Sequence, residues 1–448
     1  MKLHTLGHAC MLLEDGAGRP VLASDPWLEG SCYWRSWWLL NPPREDQVAA
    51  VAQAPFLYIT HEHPDHLHLP SLRKLGAAGK TVLLPDFHRM KMDAHLRDMG
   101  FAVRVLPTGQ WVPLQDGISV MALPQWNNDS VLVVDTPKAL VVNLNDAKPL
   151  GGLFDDIAAL KARLGKPLVM LRSHSPAGPF FNYFRDGART PNLTKGSYVS
   201  KVNQVCDQFG ADLFIPFASQ VVLRRSDSQW ANDYKVGHDD LRAGWQSKTT
   251  LCPPFSSVDL GTLAVDSEPQ EAWRGAFTEA RQARVAAEEA RNAAETLTGE
   301  DITRLRATLA RQRALIAVLL PKGVAVRCAG RRFLYTPLSG RLTERPDGGA
   351  CTIDVPVAAL KDALAFGHFG DLCITMFVPI TLHGGTPAAK VDMFWMLMIL
   401  ADYGYAGGPL GRLKWLWWSW TVERRRTLPL PPAPSRPQPL PEPLPVRS

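Results

Sequence analysis

The chain has 448 residues, 46% of them hydrophobic and 21% charged, with 49 Lys and Arg against 43 Asp and Glu for a net charge of +6. That balance describes an ordinary soluble globular protein of two or three domains. The charge suits an anionic small-molecule substrate and is too small to demand nucleic acid as a partner.

Taken from the start, Met1–His8 lacks a long apolar stretch, so no signal peptide is expected. Residues 1–265 then alternate short apolar runs with turns. Strands are predicted at Ala9–Leu13, Val21–Ser24, Phe56–Thr60, Thr81–Leu84, Ala102–Leu106, Ser119–Leu123, Val131–Val134, Ala139–Leu144, Pro167–Leu171 and Leu213–Ile215. Helices at Leu69–Leu75 and Leu153–Leu164 suit two sheets covered by helices. Over 266–322 the composition shifts to Ala, Arg and Glu. Ser267 with Gln270 and Pro269 reads as a helix start, and a second helix is predicted from Asp301 to Pro321, together a linker or bracing hairpin. Residues 323–426 read as a small α+β domain. Its predicted strands are Val324–Cys328, Phe333–Tyr335, Thr352–Val355 and Leu372–Phe377, with helices at Ala358–Phe366 and Val391–Tyr403. Residues 412–426 set four Trp among basic side chains, which either lie in a membrane interface as a peripheral contact or dock into the protein. The Pro-rich tail 427–448 is expected to be disordered or polyproline II. No apolar run reaches the roughly 20 residues a bilayer needs.

The chemistry concentrates at Tyr58-Ile59-Thr60-His61-Glu62-His63-Pro64-Asp65-His66. An apolar strand runs into a tight turn bearing the pattern His-x-His-x-Asp-His. Imidazoles His61, His63 and His66 with the Asp65 carboxylate suit one or two divalent metal ions. Asp146 ends the apolar run from Leu140 and reads as a bridging carboxylate or as an Asx turn. Asp25, after a strand and before Pro26-Trp27, reads as a group that orients a ligand imidazole. His8 does the same or is a core histidine. His68, His88 and His95 read as surface groups.

The His-x-His-x-Asp-His pattern is the signature of the metallo-β-lactamase fold. With Gly7-His8-Ala9, Ser24-Asp25-Pro26-Trp27-Leu28-Glu29-Gly30 and Trp37-Trp38-Leu39-Leu40-Asn41-Pro42-Pro43, the chain resembles the metallo-β-lactamase-like domain of CMP-N-acetylneuraminate hydroxylase. The likeness runs from Asp25 to Gly261. It is clearest over Asp25–Leu75 and returns at Leu213-Phe214-Ile215-Pro216-Phe217-Ala218. The resemblance implies an αββα sandwich with a metal site at one sheet edge. It also implies iron-dependent hydroxylation of a sugar nucleotide, with electrons from a Rieske cluster.

The chain departs from that pattern in two ways. None of its seven cysteines stands in the Cys-x-His or Cys-x-x-His pairs of a Rieske centre, so an oxygenase needs a separate ferredoxin or Rieske-type reductase. The odd, scattered cysteines fit a reducing, cytoplasmic compartment. In addition, Gln125 stands about where a further ligand histidine is expected, which makes it a possible ligand through its amide oxygen. A late histidine after Ala218 is also absent. His174 at a strand end is a candidate ligand, acid-base group or plain loop histidine, and it joins Asp65 as a candidate catalytic residue. His238 is a weaker candidate. Trp27, Trp37, Arg172 and Arg225 are candidates for substrate binding. Three functions follow: a monooxygenase with iron favoured, a hydrolase of esters, lactones or phosphodiesters with zinc as the alternative metal, or a non-catalytic binding protein.

Overall fold

In the computed structural model the described residues are 1–87, 91–149, 152–178, 181–191, 193–267, 278–422 and 428–432. The predicted strands Ser119–Leu123, Val131–Val134 and Ala139–Leu144 form as Ser119–Pro124, Ser130–Asp135 and Leu140–Asn145. They are buried along their whole length. Such unbroken burial requires cover on both faces of the sheet. A seven-stranded sheet runs Thr250–Leu251, Leu213–Phe217, Leu168–Ser173, Leu140–Asn145, Ser130–Asp135, Ser119–Pro124, Val112–Pro113. It faces an eight-stranded sheet ordered Val265–Ser267, Ser256–Asp259, Lys2–Leu6, Cys10–Glu14, Pro20–Ser24, Phe56–Tyr58, Thr81–Pro85, Ala102–Leu106.

The core between the sheets joins Leu3, Val21, Tyr58 and Leu83 of one to Val120, Val134, Val141 and Ile215 of the other. Outside the eight-stranded sheet lie Val51, Leu72 and Leu96, from Glu45–Gln53, Leu69–Leu75 and Met92–Asp98. Outside the seven-stranded sheet of the sandwich lie Ile157 and Leu160 of Gly152–Leu164 and Val202 and Cys206 of Lys195–Phe209. The last helix starts where the Thr194 hydroxyl accepts the Ser197 N–H, and it ends at Gly210 with φ 60°. The result is the expected αββα sandwich. Its cysteines are free and buried, and no helix among the described residues is long and apolar enough to cross a membrane.

The C-terminal region departs from expectation. A third, seven-stranded sheet combines Val324–Cys328, Arg331–Thr336, Arg341–Glu344, Cys351–Asp354 and Ile380–Leu382 with a hairpin from far upstream, Tyr183–Arg185 and Ala188–Arg189. Tyr183 pairs with Ile380 in parallel register. The predicted strand Leu372–Phe377 is instead overlapped by a 3₁₀ turn, Gly370–Ile374. Gly370 lies so close to the helix Ala388–Asp402 that a Cβ would stand 2.7 Å from the Ile399 nitrogen. Its N–H donates to Asp402 Oδ2 at 2.7 Å.

Pro269 and Gln270 lie outside the described residues, while Ser267 ends a strand. The described helix is Glu279–Ala294, capped by Thr278. The helix predicted from Asp301 is two, Gly299–Arg311 and Arg313–Leu319. Glu279–Ala294 is tied to the C-terminal domain through Arg291–Asp362 at 2.5 Å, and the two later helices supply Leu309 and Ile316 to its core.

The Trp-rich segment forms the helix Gly408–Val422. Trp415 is buried and Trp418 packs against Phe87, whereas Trp417 and Trp420 are exposed. Arg424 to Arg426 lie outside the described residues, as does most of the tail. At its start the tail is docked, not free. Leu428 is buried, and the Pro429 carbonyl accepts the Trp111 indole N–H at 2.7 Å.

Candidate metal centre

Strand ends build the site. Pro20–Ser24, Phe56–Tyr58 and Leu140–Asn145 lead into the site, the first into Asp25, the second through Ile59 into Thr60 and His61, and the third into Asp146. Asp25 and Asn145 hold left-handed backbone, φ 39° and 51°, which is unfavourable for residues with a Cβ and is maintained by their hydrogen bonds. Asp25 accepts the Thr60 N–H at 2.8 Å and its hydroxyl at 2.7 Å, the Asn145 amide at 2.6 Å, and lies 3.1 Å from His66 Nδ1. That arrangement fixes the His66 ring and turns its Nε2 toward Asp65 Oδ2 at 3.5 Å and Asp146 Oδ2 at 3.3 Å.

Ligand atoms of His61, His66 and Asp146 lie within 4.8 Å of one another, and so do those of His8, Asp65 and His66. His63 stands beside the first group, its Nδ1 2.8 Å from His61 Nε2. Burial pushes His61 down to about 4 and His63 down to about 3, so both imidazoles are neutral, the form that ligates metals. Burial works against charge on His66, but Asp65, Asp146 and Asp25 outweigh it and hold it well above its ordinary value. Asp65 is clamped on both sides. Tyr33 Oη donates to its Oδ1 at 2.8 Å, and His8 Nε2 sits 3.2 Å from its Oδ2.

The site contains a carboxylate that sequence reasoning missed. Asp129 Oδ1 lies 3.4 Å from His61 Nδ1, and Asp129 shares the cavity wall with His61, His63, Asp65 and Asp146. Burial and the facing Asp146 raise its carboxyl to about 8. Gln125 is placed differently from the expectation. Its amide N–H groups donate to the Leu123 and Pro124 carbonyls at 2.9 and 3.0 Å, and it does not line the cavity. The turn Gln125–Asp129 accounts for the exchange. Gln125 N–H bonds the Asp129 carbonyl and Asn128 takes φ 57°, so the chain doubles back and presents the fifth residue of the turn. The signal available was that this turn carries a single carboxylate.

Other candidates fall on both sides. Arg172 and Trp37 line the cavity, of about 590 Å³. Trp27 is wholly buried behind His8, with ring centroids 5.6 Å apart, and its indole donates to the Glu29 carbonyl. Arg225 is 1% exposed. Asp227 holds its guanidinium at 2.9 and 2.6 Å and Phe377 lies 4.0 Å beneath it, so it is a packing cation and not a substrate group. His174 is buried with Nδ1 3.3 Å from the Phe217 carbonyl and joins neither metal-ligating group. His238 opens the helix His238–Ala243, away from the cavity wall. His68 is not a surface group: it is 3% exposed and caps the helix Leu69–Leu75 through Ser71. His88 lies outside the described residues.

Against known proteins, the chain is 33% identical over 285 residues to the cytidine monophosphate-N-acetylneuraminic acid hydroxylase of Macaca mulatta, covering 58% of this chain and 46% of that protein. To the Cricetulus griseus hydroxylase it is 25% identical over 284 residues, covering 58% and 48%. The Homo sapiens relative, 33% identical over 286 residues and covered to 54%, is described as inactive. The chain thus spans about half the length of the curated relatives it matches. No protein-family profile matches it. Among solved structures it is similar to a CmlA beta-hydroxylase mutant, with 18% identity, TM-score 0.34 and coverage of 48% and 45%. It is likewise similar to the metallo-beta-lactamase fold protein YhfI from Bacillus subtilis, with 10% identity, TM-score 0.34 and coverage of 57% and 98%.

Proposed function

We propose that this chain, which carries the metallo-β-lactamase fold, is an iron-dependent monooxygenase of an anionic small molecule, fed with electrons by a separate ferredoxin or Rieske-type protein. The observation that supports it is the donor set. Imidazoles His61, His63 and His66 face the carboxylates Asp65, Asp129 and Asp146, and so carboxylate-rich a set suits a hard, redox-active cation better than a zinc site of imidazoles. The residues fit a cation on their own evidence. His66 Nε2 and Asp129 Oδ2 are buried with no hydrogen-bond partner, and Asp129 and Asp146 repel each other in the absence of one.

Bound there, iron would supply the activation of dioxygen. The chain's own groups do the rest. Asp25 and Asn145 keep the His66 Nε2 lone pair aimed into the site. Tyr33 and His8 hold Asp65 in one orientation, and Trp37 walls the cavity beside them. The balance is one dioxygen, two electrons and two protons per turnover, giving one hydroxyl on the substrate and one water. In this reading those electrons come from the partner.

The test is metal analysis and an optical spectrum of protein purified without chelator, followed by oxygen uptake with a chemical or ferredoxin reductant. Iron content and reductant-dependent uptake are expected. Zinc alone, with hydrolysis of a p-nitrophenyl ester or phosphodiester and no uptake, overturns the reading in favour of a hydrolase.

A further inference from the structure

The cavity is lined by two chemically distinct sets of side chains. One comprises the candidate metal ligands and the cations Arg172 and Lys201. Arg172 belongs to the strand Leu168–Ser173, and its Nε and Nη1 are buried with no hydrogen-bond partner. A guanidinium so placed lacks the anion that its donors require.

The other set comes from the C-terminal domain. The helix Ala388–Asp402 is apolar nearly all round, and such a helix needs cover on every side. Val391, Phe394, Trp395 and Met398 cover one side in the domain core. Met396 and Ile399, with Trp395 itself and Met376 from the preceding loop, also line the cavity. The carboxylate on that wall, Asp392, is turned away onto the Tyr183 hydroxyl at 2.6 Å. A methionine-rich wall is soft and accepts flexible chains.

We propose that the ligand of this cavity is an amphipathic oxyanion, with a phosphate-like head against Arg172 and the metal ligands and a hydrocarbon body along Met376, Met396 and Ile399. The inference rests on reading the cavity as the substrate site and goes further by giving the substrate an apolar body. A sugar nucleotide, polar along its length, leaves the methionine wall without a partner.

Calorimetry on the full chain as purified tests it, using octyl phosphate, ethyl phosphate, octanol and cytidine monophosphate, with the octyl compounds kept below micelle formation. Octyl phosphate should bind at least about a hundredfold more tightly than ethyl phosphate, since six added methylenes are buried, and more tightly than octanol, which lacks the anion that Arg172 would pair with. Arg172→Leu should weaken octyl phosphate at least about tenfold, the loss of a charged hydrogen-bond donor. Met396→Gln should shrink the octyl-to-ethyl ratio. Equal binding of the two phosphates, tighter binding of cytidine monophosphate than octyl phosphate, or no octyl phosphate binding would each overturn the proposal. The chain-length comparison uses the unsubstituted protein, so it decides the matter even where a variant fails to fold. It reads no turnover, so it stands or falls apart from the oxygenase reading.

Discussion

A buried carboxylate facing another is stable only if a cation or a proton lies between them. Asp129 and Asp146 face each other in this way, and the carboxyl of Asp129 is pushed up to about 8. Asp129→Asn should therefore lower the metal-to-protein ratio by mass spectrometry, by up to one ion per chain if the site holds two. Gln125→Ala should leave the ratio unchanged, because its amide nitrogen is held by the Leu123 and Pro124 carbonyls and the side chain stands outside the cavity wall. A loss of metal with Gln125→Ala, or full metal content with Asp129→Asn, would reverse the assignment. The contrast also marks what was legible. His61, His63, Asp65 and His66 sit within six residues and announce themselves by spacing. Asp129 does not, because its place depends on how a hairpin turn folds back, and Tyr33 reaches Asp65 across a segment with no pattern of its own.

Elements meet where charge must be hidden, and the junction of the 3₁₀ turn Gly370–Ile374 with the helix Ala388–Asp402 is one such place. Asp371 is 5% exposed and accepts the Tyr403 hydroxyl at 2.8 Å. Burial raises its carboxyl from 3.8 to about 8, the Tyr403 bond opposes the rise, and nearby Asp402, Asp65 and Glu62 add to it. His368 faces it at 3.7 Å and is itself held down by burial and Lys91. Folding therefore favours the protonated acid. The stabilisation is complete below about pH 4 and fades as pH rises through 8, with a slope of at most about 1.4 kcal/mol per pH unit. Asp371→Asn should remove that slope: between pH 5 and 8 the native protein should lose stability relative to the variant in urea unfolding. A difference independent of pH would sink the account. Sequence pattern alone predicts a strand here, since Leu372–Phe377 is apolar and β-branched in part. What overrides propensity is the contact of Gly370 with Ile399, which no local pattern records. The central strands were legible because their burial is continuous. Strands such as Lys2–Leu6 and Ser256–Asp259 were not, since they mix exposed and buried residues.

At the scale of the whole chain, composition divides residues 1–265 from 323–426, but the structure ties the two stretches together. The hairpin Tyr183–Arg189 leaves the sandwich and completes the third sheet through Tyr183 and Phe184, paired with Ile380 and Thr381. Asn182 adds amide bonds to the Met376 and Val378 carbonyls at 3.1 and 2.7 Å. Leu400, Tyr403 and Trp415 in turn fill the outer face of the eight-stranded sheet beside Leu72 and Phe87. Separating the stretches would leave unpaired strand edges and uncovered apolar surface on both, which is costly in water. Scanning calorimetry of the full chain should then show one cooperative transition in place of two. Substituting Asn182→Ala, which strips a buried two-bond clamp at the junction, should lower that transition without splitting it, at a cost of about 1–3 kcal/mol. Two resolved transitions in the unsubstituted protein would mean that the C-terminal region folds on its own, and its apolar wall in the cavity would then be an adjustable contact, no longer a fixed part of the site.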